Sequence, residues 1–331
     1  MSWPVLSICP GPARERIAAD MTASLPFDLS SARATLIVNG RAGRQDAGGA
    51  LAGIRAALAP HLGELAVTRV RKGSTIGDAA RQAVQGGSQI VLAFGGDGTQ
   101  NAVAGALAGT GAVMGVLPGG TFNYFARELG VETLETALAA IAGGRVIQRD
   151  LGAINGRIFL NNASFGLYPQ ILRRREDIYR RWGRSRLAAY WSVLVALRDL
   201  RAPMHLSVEI GADRVDFHTP LAFVARSAYQ LETLGLDGAD AVRAGHFALF
   251  IARGTTRRAL MSAAVRLAMG KSVRGEDFEM VVSDKLLIEP RQPRKLVALD
   301  GEKGLMDAPF CLGVLQGGLQ VFAPGAGTGA R

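Results

Sequence analysis

The sequence predicts an α/β N-terminal domain with a parallel sheet and flanking helices, followed by a mainly antiparallel β-sandwich domain. Three observations carry that expectation. Residues 34–117 alternate short β-rich runs with Ala-rich stretches of helical spacing, the pattern of a parallel sheet covered by helices. From about residue 151 the β-like runs follow one another with few helical stretches between them, which is the pattern of an antiparallel sheet. The chain has 331 residues, 48% of them hydrophobic, enough for one large or two ordinary cores.

In the first part the expected strands are 34–39, 65–70, 89–94 and 112–117, separated by helices at about 46–59, 75–85, 100–108 and 133–142. In the second part they are 157–161, 206–210, 221–225, 246–252, 279–282, 285–289, 295–299 and 319–322. Helical insertions at about 173–200 and 256–269 interrupt this series, and no internal repeat is detectable. The expected division is a loose extension over 1–30, the α/β domain over 31–150, the β-rich domain over 151–323, and a tail over 324–331.

Composition narrows the function classes. Residues 1–30 carry Pro4, Pro10, Pro12 and Pro26 and lack the basic start and continuous apolar centre of a secretory signal. No segment reaches the roughly 18 charge-free apolar residues of a membrane-spanning helix. Cys9 and Cys311 are the only cysteines, which excludes a disulfide framework or a zinc cluster and makes the cytoplasm the default location. The formal charge of +10 points to an anionic partner: nucleic acid, a membrane surface or a phosphorylated small molecule. Aromatic residues make up 6% of the chain and no recognition motif occurs, which argues against nucleic acid. His61, His205, His218 and His246 show no metal-ligand spacing and are read as structural or surface residues.

The chemistry concentrates where the third and fourth strands end. Gly95-Gly96-Asp97-Gly98-Thr99 follows one and Pro118-Gly119-Gly120-Thr121 the other, each leading into a helix. In an open parallel sheet ligands bind beyond the carboxyl ends of the strands, and a glycine loop at a helix N-terminus offers unpaired N–H groups to a phosphate. A dinucleotide fingerprint fails, because the series runs Gly96, Gly98, Asn101. A P-loop fails as well, since the Gly-Lys-Ser at 270–272 has Val265 where the first glycine belongs. Asp97 is an odd neighbour for a phosphate until a magnesium ion is supplied, because such ions are held by one or two carboxylates together with substrate phosphates.

With GGDGTQNAVAGAL followed by GVLPGGTFNYFARELGV, the sequence resembles the diacylglycerol kinase catalytic-domain superfamily, which includes bacterial lipid kinases and sphingosine and ceramide kinases. Leu299-Asp300-Gly301-Glu302 resembles that superfamily's late Asp-Gly-Glu, and Asn39-Gly40-Arg41-Ala42-Gly43 stands at its Asn-Pro-x-Ser-Gly loop. The resemblance extends over about residues 34–323. It implies an ATP- and magnesium-dependent kinase whose nucleotide site lies in the interdomain cleft, with a lipid hydroxyl as acceptor. Residue by residue it implies ATP contacts from Asn39, Gly95, Gly96, Asp97, Gly98, Thr99, Asn101, Gly120 and Thr121, with Asp97 as the magnesium carboxylate. Asp300 or Glu302 would be the general base for the acceptor hydroxyl.

Departures from the pattern are Gly40 in place of proline, Ala102 in place of a common glutamate, and Tyr124 in place of a common aspartate. A second, structural metal found in several bacterial members is expected to be absent, because Arg243-Ala244-Gly245 stands at its position. Seven arginines between Arg173 and Arg186, followed by Leu187, Tyr190, Trp191, Val193, Leu194 and Leu197, fit a segment lying on an anionic membrane surface. The location expected is therefore cytoplasmic and peripheral to the inner face of the membrane, and a homodimer is left open. The competing readings are an NAD kinase-like enzyme, which shares Gly-Gly-Asp-Gly-Thr, and a non-catalytic lipid or nucleotide sensor. For a kinase, Asp97→Ala is expected to remove turnover with little loss of stability.

Overall fold

The apolar runs of the first part fold as the inner strands of a parallel sheet. The computed structural model describes residues 25–40, 47–166, 203–211, 213–253 and 278–325. The insertions at 173–200 and 256–269, Arg41 to Gly43, the Gly-Lys-Ser stretch, most of the N-terminal extension and the end of the tail lie outside the described residues. The first elements are β1 (Leu25–Pro26), β2 (Arg33–Asn39), α1 (Ala47–Leu58), β3 (Glu64–Val70), α2 (Ile76–Gln85), β4 (Ile90–Gly95), α3 (Asp97–Leu107), β5 (Val113–Pro118), α4 (Tyr124–Glu128), α5 (Leu134–Ala142) and β6 (Arg145–Ile154).

Strands run in the order β5-β4-β2-β3, all parallel. β4 is buried at every position, whereas β3 at the sheet edge is mostly exposed or half-buried, as expected when helices cover both faces of the inner strands. Helix α5 begins with a reciprocal Thr133–Thr136 capping box, which satisfies two N-terminal backbone donors. Because β4 and β5 are parallel neighbours, the loops that follow them emerge side by side at the carboxyl edge of the sheet.

The second unit contains β7 (Arg157–Phe159), β8 (Asn162–Gly166), β9 (Met204–Ile210), β10 (Asp213–Thr219), β11 (Leu221–Ala225), α6 (Ala228–Leu234), α7 (Ala239–Arg243), β12 (Phe247–Ala252), β13 (Phe278–Ser283), β14 (Lys285–Pro290), β15 (Arg294–Leu299), β16 (Glu302–Asp307) and the start of β17 (Phe310–Phe322). One antiparallel sheet has the order β13-β12-β11-β8-β15-β16. The other is β10-β9-β14 with the first residues of β17. Phe165, Val224, Leu249 and Val297 from the first sheet join Leu206, Val208, Ile288 and Phe310 from the second in a single core cluster. Each fully buried side chain of this kind stabilises by about 1.5–3 kcal/mol, and the two-sheet core makes the unit a sandwich.

The boundary expected at residue 323 is corrected. The compact units divide at 151/152 and again at 314/315, so residues 315–323 belong to the α/β unit. Gln320 and Val321 pair in parallel with Val113 and Met114 of β5. The apolar end of β17 thereby covers the otherwise open edge of that sheet. No helix among the described residues is long and apolar enough to cross a membrane.

Candidate functional site

The two glycine loops touch each other through their backbones. A Cβ on Gly120 would lie 2.5 Å from Gly96 Cα, and one on Gly119 would lie 3.2 Å from Gly95 Cα. A Cβ on Gly95 would collide with Thr99 Oγ1. The glycines therefore have a packing requirement of their own, since side chains would push the loops apart. The Gly119 N–H donates to Gly95 O at 2.9 Å, and Gln100, fully buried, donates from Nε2 to the same carbonyl at 3.2 Å.

Asp97 joins the loops. Its Oδ2 accepts the Asn123 N–H at 2.9 Å and its Oδ1 accepts the Tyr124 N–H at 2.7 Å. Both donors lie where α4 begins, so one carboxylate from α3 satisfies the N-terminal amides of the next helix and favours its dipole. Asn123 completes the lock. It sits in the left-handed region at φ 51°, accepts the Gly120 N–H at 3.0 Å and donates to Gly120 O at 2.9 Å. Asparagine tolerates this conformation better than most residues. Asp97→Ala removes two ties between the loops, so it is now expected to cost stability as well as turnover.

Asn39, at the end of β2, donates from Nδ2 to the buried Thr99 Oγ1 at 3.0 Å. Asn39, Gly95, Gly96, Asp97, Gly98, Thr99, Asn101, Gly120 and Thr121 are thus all carried by β2, α3 and the two loops of one unit. Helical geometry leaves the first amides of α3, at Asp97 and Gly98, without partners inside the helix. Gly120 and Thr121 are exposed beside them. Asn101 Oδ1 is a buried acceptor with no partner among the described residues. This set suits an anion, with polar acceptors close by.

Asp300 and Glu302 belong to the β-rich unit. Leu299 and Glu302 are paired residues of β15 and β16, so Asp300-Gly301 is a two-residue hairpin loop. The φ values of 47° and 83° are those of a type I′ turn, for which Asp-Gly is a preferred sequence. Asp300 Oδ2 accepts the Leu160 N–H at 2.7 Å, and Oδ1 accepts the N–H groups of Asn161 at 2.7 Å and Asn162 at 3.0 Å. Turn chemistry and amide capture account for Asp300 and Gly301. They do not account for Glu302, whose side chain makes no hydrogen bond or ion pair to a described residue. Desolvation by the surrounding protein raises its carboxyl above the ordinary glutamate value although the side chain is exposed.

Sequence reasoning did not find the polar residues beside this turn. Asn161, Asn162 and Ser164 are buried, and Asn161 Oδ1, Asn162 Oδ1 and Ser164 Oγ have no partner among the described residues. Asn162 donates from Nδ2 to Gln230 Oε1 at 3.0 Å. Two adjacent asparagines ahead of a short strand were the available signal. A separate cavity of about 670 Å³ on the same unit, between His205, His218, Arg214, Asp216 and Glu289, includes none of the motif residues. At the place expected to lack a second metal, Arg243 lies against Glu232 and Asp240.

The chain is a two-unit protein, with an α/β half that carries the paired glycine loops and a β-sandwich half. Residues 33–154 match the diacylglycerol kinase catalytic domain. A Serratia proteamaculans protein named "Probable lipid kinase YegS-like" is 38% identical over 150 residues, 42% of this chain and 47% of that protein. A Bacillus subtilis diacylglycerol kinase is 36% identical over 97 residues, 28% of this chain and 32% of that protein. The matches thus span less than half of these relatives' own lengths. A crystal structure of a diacylglycerol kinase from Bacillus anthracis matches with a TM-score of 0.65 at 20% identity, covering 89% of this chain and 97% of that one, which establishes the shared fold.

Proposed function

We propose that this protein is a lipid kinase that transfers the γ-phosphate of ATP to the hydroxyl of a diacylglycerol-like or sphingoid-like lipid at a membrane surface. The observation that carries the reading is the pair of glycine loops locked together by Asp97, with the first amides of α3 left open for phosphate oxygens. The match of residues 33–154 to the diacylglycerol kinase catalytic domain supports it, as does the chain's charge of +10 at an anionic surface.

Asn39 holds Thr99 in place, and Gly95, Gly96, Gly98, Thr99, Asn101, Gly120 and Thr121 cradle the phosphates. The donor set at Asp97 fits magnesium through water: each oxygen already accepts one amide, and magnesium keeps several waters where few carboxylates are available. When bound, the ion neutralises charge that builds on the phosphate oxygens. Glu302 is the general base. Its carboxylate takes the proton of the acceptor hydroxyl as the new oxygen–phosphorus bond forms and the bond to the ADP oxygen breaks. Asp300 serves the turn, since both its oxygens are already engaged by backbone donors, and it positions Glu302 two residues on.

The test is incubation with γ-labelled ATP and a lipid extract, followed by mass spectrometry of the labelled products. Label in a lipid is the expected result. Absence of any labelled lipid, with a known lipid kinase active in parallel, overturns the reading. Label in NAD instead would establish the small-molecule kinase alternative, and nucleotide binding without turnover on any acceptor would establish a sensor.

A further inference from the structure

The histidines show no metal-ligand spacing along the sequence, but strand pairing brings two of them together. His205 of β9 and His218 of β10 are direct cross-strand partners. His205 O accepts the Arg291 N–H at 3.3 Å, on the β14 side. Its backbone groups therefore point away from β10, and the two histidines form a non-hydrogen-bonded pair, the kind in which facing side chains stand closest. Their rings are stacked, with centroids 4.3 Å apart and planes 23° apart. Both side chains are exposed at one wall of the cavity of about 670 Å³. Their ring nitrogens make no hydrogen bond or ion pair to a described residue, so the lone pair of each neutral imidazole is open to a ligand.

We propose that His205 and His218 form a two-histidine clamp for a late first-row divalent cation: copper(II), nickel(II) or zinc(II). Imidazole is a ligand that suits these ions. Because both rings are exposed, each can turn about its own bonds until one nitrogen from each meets a single ion at about 2.0–2.1 Å. The charges nearby do not favour an anion instead. Arg214 is engaged by Glu209 at 3.0 Å and Glu289 at 2.6 Å, and the lining balances Arg214 and Arg291 against Asp216 and Glu289. Asp216 stands two residues before His218 on the same face of β10, but it accepts Ser207 Oγ. No group of three ligating side chains occurs among the described residues, so water fills the remaining positions. Such a site suits imidazole-binding ions and not magnesium, which prefers oxygen ligands. The bound ion ties β10, the outermost strand of its sheet, to β9.

The experiment is calorimetric titration of the full chain, free of any histidine tag and stripped of metal, with nickel(II), alongside melting with and without the ion. The parent is expected to show a saturable site that raises its melting temperature, with copper(II) binding more tightly than nickel(II). His205→Ala and His218→Ala should each lose the site and the shift in melting. Because both side chains are exposed, these variants should melt like the parent when metal is absent. His61→Ala, which changes a histidine elsewhere in the chain, should keep both. Electron paramagnetic resonance of the copper(II) form needs no variant and should report two imidazole nitrogens. No saturable nickel binding by the parent, binding retained in either cavity variant, equal loss in His61→Ala, or fewer than two imidazole nitrogens on copper each overturns the proposal. None of these readouts needs turnover, so they stand apart from the kinase reading.

Discussion

The loop pair after β4 and β5 and the hairpin between β15 and β16 each place an aspartate where chemistry is expected. In each, the aspartate's oxygens are taken by backbone amides: two at Asp97 and three at Asp300. The regions differ in what stands beside the captured carboxylate. Next to Asp97 lie open helix amides and exposed Gly120 and Thr121, a surface for an anion. Next to Asp300 lies Glu302, a carboxylate without a described partner whose proton affinity is raised by desolvation. In the proposed function the first region binds the nucleotide and the second accepts the proton. An acid in a motif is therefore assigned a role by its hydrogen bonds, and the residue left unexplained by local structure is the better candidate for chemistry.

The comparison breaks most readily at Glu302. Glu302→Gln keeps the shape and removes the proposed base, and turnover measured by ADP release is expected to fall by about 10²–10⁴-fold. Stability should move the other way. The folded pKa of Glu302 lies above its unfolded value, so the desolvation penalty is absent below the unfolded value and fully present above the raised folded one. Glu302→Gln is therefore expected to melt at or above the parent at neutral pH, with the gain disappearing at acid pH. In the parent, activity should fall as pH drops through a value above that of an ordinary glutamate. Retained turnover in Glu302→Gln would remove the base from this hairpin.

Asp300→Ala tests the other half of the hairpin. It strips three amides of their acceptor and is expected to destabilise the protein by about 3 kcal/mol, read as a shift in the denaturant midpoint. If midpoint and turnover both hold, the turn does not depend on amide capture.

The architecture was legible because periodicity reports burial. β4 reads as an unbroken apolar run and is buried throughout, and Leu221–Ala225 was bounded correctly from its own composition. β10 escaped because DRVDFHT is exposed along most of its length and offers only Val215 and Phe217 as an apolar signal. β17 was seen only at its apolar end, since the glycines and polar residues in its middle hide a strand of 13 residues. Its return to the α/β sheet depends on a pairing distant in sequence, which no local pattern reports. The same limit applies to the site. Asp97 was found by its motif, but its bonds to Asn123 and Tyr124 join residues 26 and 27 positions apart, and the three amides on Asp300 come from a strand region far earlier in the chain.

Gly120→Ala sharpens the comparison at the loops. The added Cβ would sit 2.5 Å from Gly96 Cα and 2.9 Å from Asn123 Oδ1, and the nearer of these is a backbone atom that cannot rotate away. Separating the loops is expected to lower stability by about 1–3 kcal/mol and to weaken ADP binding in the same variant. Undiminished ADP affinity would mean that the loop contact serves the fold alone.

The smallest expected effect on stability separates the two duties of Asp97. In Asp97→Asn one side-chain oxygen still accepts an amide, while the new NH₂ faces a second N–H and leaves it without an acceptor. The loss should be about 1 kcal/mol, less than for Asp97→Ala, which abandons both amides. A purely structural Asp97 would make ADP affinity and its magnesium dependence follow stability through this pair of variants. If Asp97 also holds the water shell of the ion, Asp97→Asn loses magnesium-dependent ADP binding while staying nearly as stable as the parent, because a neutral amide retains part of the loop tie but has no charge to offer the metal. Calorimetric titration of ADP with and without magnesium, on variants whose melting has been measured, distinguishes the two.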